Sequence, residues 1–252
     1  MAGFVGVDGC KAGWVSVQGI SADALRLVVY STFSDLLKDM PERCSIAVDM
    51  PIGLPDRITG AGRAPEKLVR PMLGARQSSV FSIPARPAVE MGGQMTGKTE
   101  DDYPLHQRAS ALAQSLSDPA KGVSIQAFYL FPKILEIDEL LRADNTLQSR
   151  VFESHPEVAF TVLNGGNPMR EPKKIKGRIN PAGMDERRTL LAKFGLTASF
   201  LTSKPPTGVG ADDVLDAAVC WLVARRIAQG QAISFPDPPE RDDYGLPVAI
   251  WA

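Results

Sequence analysis

The chain has 252 residues, 44% of them hydrophobic and 23% charged, with a formal net charge of -1. That length fits one large domain, or a compact core carrying an insertion. The near-zero charge excludes the global positive field that would gather nucleic acid at long range, so any such partner needs a local basic patch.

Cys10, Cys44 and Cys220 are widely spread and form no C-x-x-C pair. This argues against a zinc site or disulfide framework and for a reducing compartment, so a cytoplasmic location is expected. The opening MAGFVGVDGCKAGW lacks a basic stretch leading into a long apolar run. It reads as structure and not as a signal peptide. No run approaches the length that spans a membrane.

In chain order, GFVGVD at 3–8 is a short apolar run ending in a charge. Residues 13–20 and 24–31 are rich in β-branched side chains and separated by a polar turn, so the three segments predict a β-meander. Residues 34–40 have helical spacing, with Ser34 as the expected N-cap and Pro41 as the stop. CSIAVDMP then predicts a buried strand that also ends in an aspartate. Strand, strand, strand, helix, strand differs from a dinucleotide-binding fold, which alternates from the start. It matches the opening of an RNase H-like domain.

Residues 50–149 interrupt that scheme with a Pro/Gly-rich loop, a helix near 65–73, the Pro-broken stretch SSVFSIPARPAV, and helices near 105–117 and 125–143. This predicts a helical insertion inside a single domain spanning 1–252. RVFES at 150–154 resumes the strands, and Pro156 opens a short helix. A basic loop covers 165–182, followed by helices near 184–195 and 210–229, the latter closed by Gly230. The apolar end of DPPERDDYGLPVAIWA predicts a last strand on a sheet edge. The expected fold class is therefore α/β: an RNase H-like mixed sheet, with a three-stranded antiparallel meander followed by parallel strands, flanked by helices.

Asp8 and Asp49 close their strands in the same way. Parallel neighbours lie about 4.8 Å apart, and strand carboxyl ends share one crevice in open α/β sheets. Two such carboxylates are costly together unless they share a cation or a proton; the ordinary alternative is that each ends a strand in solvent. From Val214 to Ala224 the sequence VLDAAVCWLVA is apolar except at Asp216. A helix apolar nearly all round is covered on most sides, so a lone carboxylate in it calls for a partner or a metal. Asp213 and Asp212 can share its face. Asp212 is read as the N-cap or first-turn charge, and Asp213 as the partner of Asp216. Glu153 is a further ligand or a water-orienting base, and Glu157 a structural first-turn charge. Several carboxylates with little histidine suit Mg²⁺ or Mn²⁺, and two such ions ~3.5–4 Å apart cleave phosphodiesters.

Two basic clusters could hold phosphate. Residues 57–86 carry Arg57, Arg63, Lys67, Arg70, Arg76 and Arg86, and 170–178 carry Arg170, Lys173, Lys174, Lys176 and Arg178 against Glu171 alone. Such groups position a phosphate backbone without reading sequence, although a solvated loop is the plain alternative. The candidate substrate-facing residues are Lys11, Arg57, Arg70, Arg76, Arg86, His155 and Lys174. Aromatic residues are sparse in both clusters, which gives little support to stacking on single strands.

The ordered set GVDGCKAGW, VDMPIGLP, LGARQSSVFSIPARPAV, GVSIQAF with KILEIDELL, ESHPE and ADDVLDAAVCWLVAR resembles a family of predicted RNase H-like nucleases, the domain-of-unknown-function family 429. That family resembles the Holliday-junction-resolvase branch of the RNase H-like superfamily. The resemblance implies metal ligation by Asp8, Asp49, Asp213 and Asp216, with Glu153 as a fifth acid. Resolvase-like relatives more often carry glutamate where this chain has Asp49. The expected function is a Mg²⁺- or Mn²⁺-dependent nuclease acting on nucleic acid of unspecified type, with a homodimer left open. The rivals are a phosphotransferase using the GVGADD helix N-terminus and a non-catalytic scaffold that binds nucleic acid or protein.

Overall fold

The computed structural model describes residues 3–252; Met1 and Ala2 lie outside it. β1 (Phe4–Cys10), β2 (Gly13–Gly19) and β3 (Arg26–Tyr30) form the expected antiparallel meander. Gly13 makes the β1–β2 turn at φ +118, where a Cβ would stand 2.3 Å from the Tyr30 carbonyl oxygen. Helix α1 (Phe33–Asp39) begins earlier than its predicted Ser34 cap. Thr32 is the N-cap, because its hydroxyl accepts the Asp35 N–H at 3.1 Å. β4 (Ser45–Val48) then runs parallel to β1, pairing Phe4 with Ser45 and Val7 with Val48.

Between β4 and the next long-sheet strand the chain is mostly helical. A two-residue ladder joins β5 (Ile58–Thr59) to β6 (Ser117–Asp118). The helices are α2 (Ala64–Val69), α3 (Arg86–Gly92), α4 (Thr99–Ser115), α5 (Ile125–Phe128) and α6 (Phe131–Ala143). The predicted helix near 65–73 stops short: the chain tightens into a 3-10 segment, Arg70–Ser79, which contains Pro71 and a non-helical Gly74. The predicted 125–143 helix divides at Tyr129 and Leu130, just before Pro132 in the first turn of α6.

β7 (Val151–Glu153) returns parallel to β4, pairing Val48 with Glu153. It is followed by α7 (Pro156–Leu163) and a small hairpin, β8 (Lys174–Ile175) with β9 (Arg178–Ile179), inside what the sequence presents as a loop. Then come α8 (Pro181–Lys193), α9 (Ala198–Leu201) and α10 (Ala211–Ala228). β10 (Ser234–Arg241) pairs with β11 (Pro247–Trp251), and Trp251 touches the β7 edge through a parallel bridge to Ser154.

The main sheet has the order β3-β2-β1-β4-β7. This mixed sheet between helical layers is consistent with an RNase H-like fold. One face packs Val7, Trp14, Ile46 and Val48 against Phe128, Phe131 and Ile134; the other packs Val15, Val17 and Ala47 under α7, α8 and α10. All three cysteines are buried and unpaired. Among the described residues, no helix is long and apolar enough to cross a membrane.

The decisive contact for the site is α10 on β1. A Cβ built on Gly6 would stand 2.0 Å from the Trp221 amide nitrogen and 2.1 Å from the Ala217 carbonyl oxygen. Only glycine permits that backbone-to-backbone approach. It sets the residue before Ala217, which is Asp216, over the carboxyl end of the strand that carries Asp8.

Candidate metal centre

Asp8 lies near the end of β1, Asp49 directly follows β4, and Asp216 sits in the second turn of α10. The Asp49 N–H donates to the Val7 carbonyl at 2.9 Å, continuing the parallel register past Val48. Each of the three aspartates offers one carboxylate oxygen, and these oxygens all lie within 4.8 Å of one another. Asp8 and Asp216 are buried and Asp49 is half-buried.

Such a cluster resists full ionisation. Burial pushes Asp8 well above the usual carboxylate range, and the charges of Asp49, Asp216 and Asp213 push it further. Burial also pushes Asp49 up to about 7; Lys173 opposes this, while Glu157 and Asp213 add to it. Asp216 is likewise pushed up to about 7, by burial first, with Lys173 opposing and Asp49 adding. The Lys173 ammonium donates to Asp216 Oδ2, and Oδ1 of the same carboxylate is buried without a hydrogen-bond partner. A buried orphan oxygen is costly, so an all-carboxylate set with one oxygen free fits a hard divalent cation.

The shifts carry a stability consequence. A carboxyl whose folded pKa is raised binds more protons in the native than in the unfolded chain, so its contribution is present at low pH and lost as pH rises through the folded value. Metal-free protein should therefore lose stability between about pH 4 and pH 7 relative to Asp49→Asn. At pH 8 the variant should be the more stable of the two, by on the order of 2 kcal/mol. Melting curves across pH check this, and saturating Mn²⁺ should erase the wild-type loss. A variant no more stable than wild type at pH 8 would contradict the electrostatic account.

The other expected acids have different surroundings. Asp213 Oδ2 accepts the Gly210 N–H at 2.8 Å, while Asp212 pairs with Lys174 Nζ at 2.6 Å. Asp213 thus takes the first-turn role expected of Asp212, and Asp212 instead makes an ion pair with Lys174. The Gly210 amide is consequently occupied by the chain's own carboxylate. Glu153 is buried, with Oε1 on Arg63 Nη2 at 2.7 Å and Oε2 on the Ile52 N–H at 2.7 Å and Arg63 Nη1 at 3.1 Å. Its oxygens are not among those gathered in the aspartate cluster. Glu157 holds Arg187 through both oxygens, as a structural first-turn acid.

The basic candidates separate in the same manner. Arg86 corrects the expectation of a phosphate contact: it is buried, with its terminal nitrogens on Asp138 at 2.7 and 2.8 Å and on Asp242 at 2.8 Å. Those ion pairs fasten α3 to α6 and to the β10–β11 turn. Arg70 donates to the Ala61 and Val80 carbonyls and to Ser82. Arg76 is half-buried beside Glu157, Lys173 and Arg187. Lys11, Arg57 and Lys174 are exposed. His155 Nε2 faces the Ser79 carbonyl at 3.2 Å and its Nδ1 is buried without a partner. Burial pushes its pKa down, which favours the neutral ring.

Beside Asp8 and Asp49 opens a cleft of about 220 Å³, walled also by Phe81, Tyr129, Lys133 and His155. Lys133 Nζ donates to the Gly13 carbonyl at 2.6 Å and lies 4.3 Å from the Trp14 ring centre. Lys133 and the two aromatic residues escape sequence reasoning, because they lie in helices and loops with no pattern tying them to Asp8. Lys173 was visible as part of a basic run, but nothing in the run set it apart from Lys174.

A family model described as a protein of unknown function (DUF429) matches residues 6–241. No curated protein and no solved structure matches the chain.

Proposed function

We propose that this chain, which belongs to the DUF429 family, is a divalent-cation-dependent nuclease that cleaves phosphodiester bonds of nucleic acid. The observation that carries the reading is the convergence of Asp8, Asp49 and Asp216 oxygens within 4.8 Å. They come from two parallel strand ends and one buried helix, and one Asp216 oxygen has no partner. Mg²⁺ or Mn²⁺ bound there would neutralise the cluster, polarise a phosphoryl oxygen and supply a nucleophile at neutral pH.

The chain's own residues hold and orient. Asp8, Asp49 and Asp216 form the ion's carboxylate set, and Lys173 fixes the second oxygen of Asp216. Phe81 and Tyr129 wall the cleft, with Tyr129 50% exposed, so aromatic faces stand beside the acids although the basic clusters lack them. A cleft of about 220 Å³ is smaller than the ~300–1,000 Å³ of typical ligand pockets. Lys11, Arg57 and Lys174 are exposed and would be the candidates for flanking phosphates.

The test is cleavage of labelled single-stranded, duplex, hybrid and branched substrates with Mn²⁺ or Mg²⁺. Wild type should cleave at least one of these only with metal. Asp8→Asn, which removes a charge from the centre, should lose more than ~100-fold in metal affinity or rate. Metal-independent cleavage, cleavage equal in Asp8→Asn, or no cleavage of any substrate would reject the proposal.

A further inference from the structure

Lys173 stands outside the three aspartates yet touches one of them. Its ammonium donates to Asp216 Oδ2, with the two side chains 21% and 6% exposed. The main chain around it is pinned. The Lys173 carbonyl accepts the Asn180 N–H at 2.8 Å, and the Pro172 carbonyl accepts from Asn180 Nδ2 at 2.9 Å. The Glu171 carbonyl accepts from Arg187 Nη1 at 3.0 Å. Gly183 in α8 packs so closely that a Cβ there would stand 2.1 Å from the Pro172 carbonyl oxygen. Lys176 and Arg178, by contrast, are exposed on the hairpin. Lys173 is thus a lysine delivered to the acidic cluster by a fixed segment.

A second ion beside the first needs further oxygen donors, and the neighbouring acids offer few. Glu153 has both oxygens on Arg63 and the Ile52 amide, and Glu157 has both on Arg187. Asp213 has one oxygen on the Gly210 amide, and Asp216 has one on Lys173. Charge points the same way. Three ionised aspartates are neutralised by one divalent ion and one ammonium, whereas two ions beside the ammonium leave an excess of positive charge in a buried site.

We propose that the centre takes a single divalent cation and that Lys173 supplies the second positive charge, acting as a positioning residue on Asp216. This rests on the metal-dependent reading above and narrows it from the two ions expected from sequence to one.

Titration of the protein with Mn²⁺ alone, followed by calorimetry and electron paramagnetic resonance, tests the idea. Wild type should bind one equivalent up to millimolar concentration and give an uncoupled Mn²⁺ spectrum. Lys173→Met should admit a second equivalent and give a spin-coupled spectrum, and Lys173→Arg should stay at one. Two equivalents in wild type would overturn the proposal and leave metal dependence standing. Lys173→Met that stays folded and binds one equivalent with unchanged affinity would overturn it too. No binding by wild type would overturn both readings. The wild-type stoichiometry decides even if Lys173→Met fails to fold.

Discussion

Gly6→Ala is expected to destabilise the protein by about 3 kcal/mol or more, because the added carbon has nowhere to go. Its ideal position lies 2.0, 2.1 and 2.6 Å from the Trp221 nitrogen, the Ala217 oxygen and the Cys220 carbonyl carbon. All three are backbone atoms in the middle of α10, so no side chain can swing aside. The helix must lift, or β1 must bow, and both are packed on every side by fully buried residues such as Val7, Val219 and Trp221. For a chain of this size the melting temperature should fall by roughly 6–12 °C. The same displacement carries Asp216 away from Asp8 and Asp49, so Mn²⁺ affinity should fall with stability although no ligand has been altered. Gly9→Ala is the matched control. Its nearest neighbour is the flexible Lys133 side chain, with Cδ at 3.0 Å, so its cost should stay within about 1 kcal/mol. Calorimetric melting and Mn²⁺ titration of both variants decide the point. A Gly6→Ala protein that melts with wild type would mean that α10 does not bear on β1 in this way.

The parts of the site that could be read in the sequence are those where a residue breaks a local pattern. Asp8 and Asp49 each end an apolar strand, and Asp216 interrupts an apolar helix, so a carboxylate stood out against its own neighbours. The meander was legible for the same reason, since β-branched runs and short turns are local features. Features that depend on partners distant in the chain were not. Arg63 and Arg57 look alike in sequence, yet Arg63 is buried against Glu153, 90 residues away, and Arg57 is exposed. Lys173 and Lys174 are adjacent, yet one reaches Asp216 and the other Asp212. The choice between them is set by where α8 clamps Pro172, which no spacing records. The first-turn role of Asp213 has a local cause. Asp213 is the third residue of α10, where a side chain reaches back to the cap amide, and in sequence the adjacent Asp212 offers the same chemistry for that role. The early start of α1 at Phe33 is similar, because Thr32 and Ser34 are both good caps and only the amide each meets distinguishes them.

Glu153→Gln separates a metal ligand from a structural acid. The Arg63 guanidinium is buried, with side chains of both Arg63 and Glu66 only 1% exposed. Burial pulls the Arg63 pKa down, but the charges of Glu153 and Glu66 more than compensate and hold it above its ordinary value. Arg63 also donates to the Ile52 and Gly53 carbonyls at 2.9 and 3.0 Å. The pair with Glu153 therefore ties the chain after Asp49 to α2 and to the end of β7. Breaking one partner out of a buried ion pair costs about 3–5 kcal/mol. Glutamine keeps the shape and one acceptor oxygen, so the expected loss lies near the low end of that range. Mn²⁺ affinity should change little, because neither Glu153 oxygen joins the aspartate cluster. Asp49→Asn should do the reverse, raising the stability of the metal-free protein at pH 8 while weakening Mn²⁺ binding. Opposite signs at two acids that line one cleft cannot come from general damage to the fold. If Glu153→Gln instead kept its stability and lost Mn²⁺, the carboxylate would belong to the metal set, and its place against Arg63 would have to change when the ion binds.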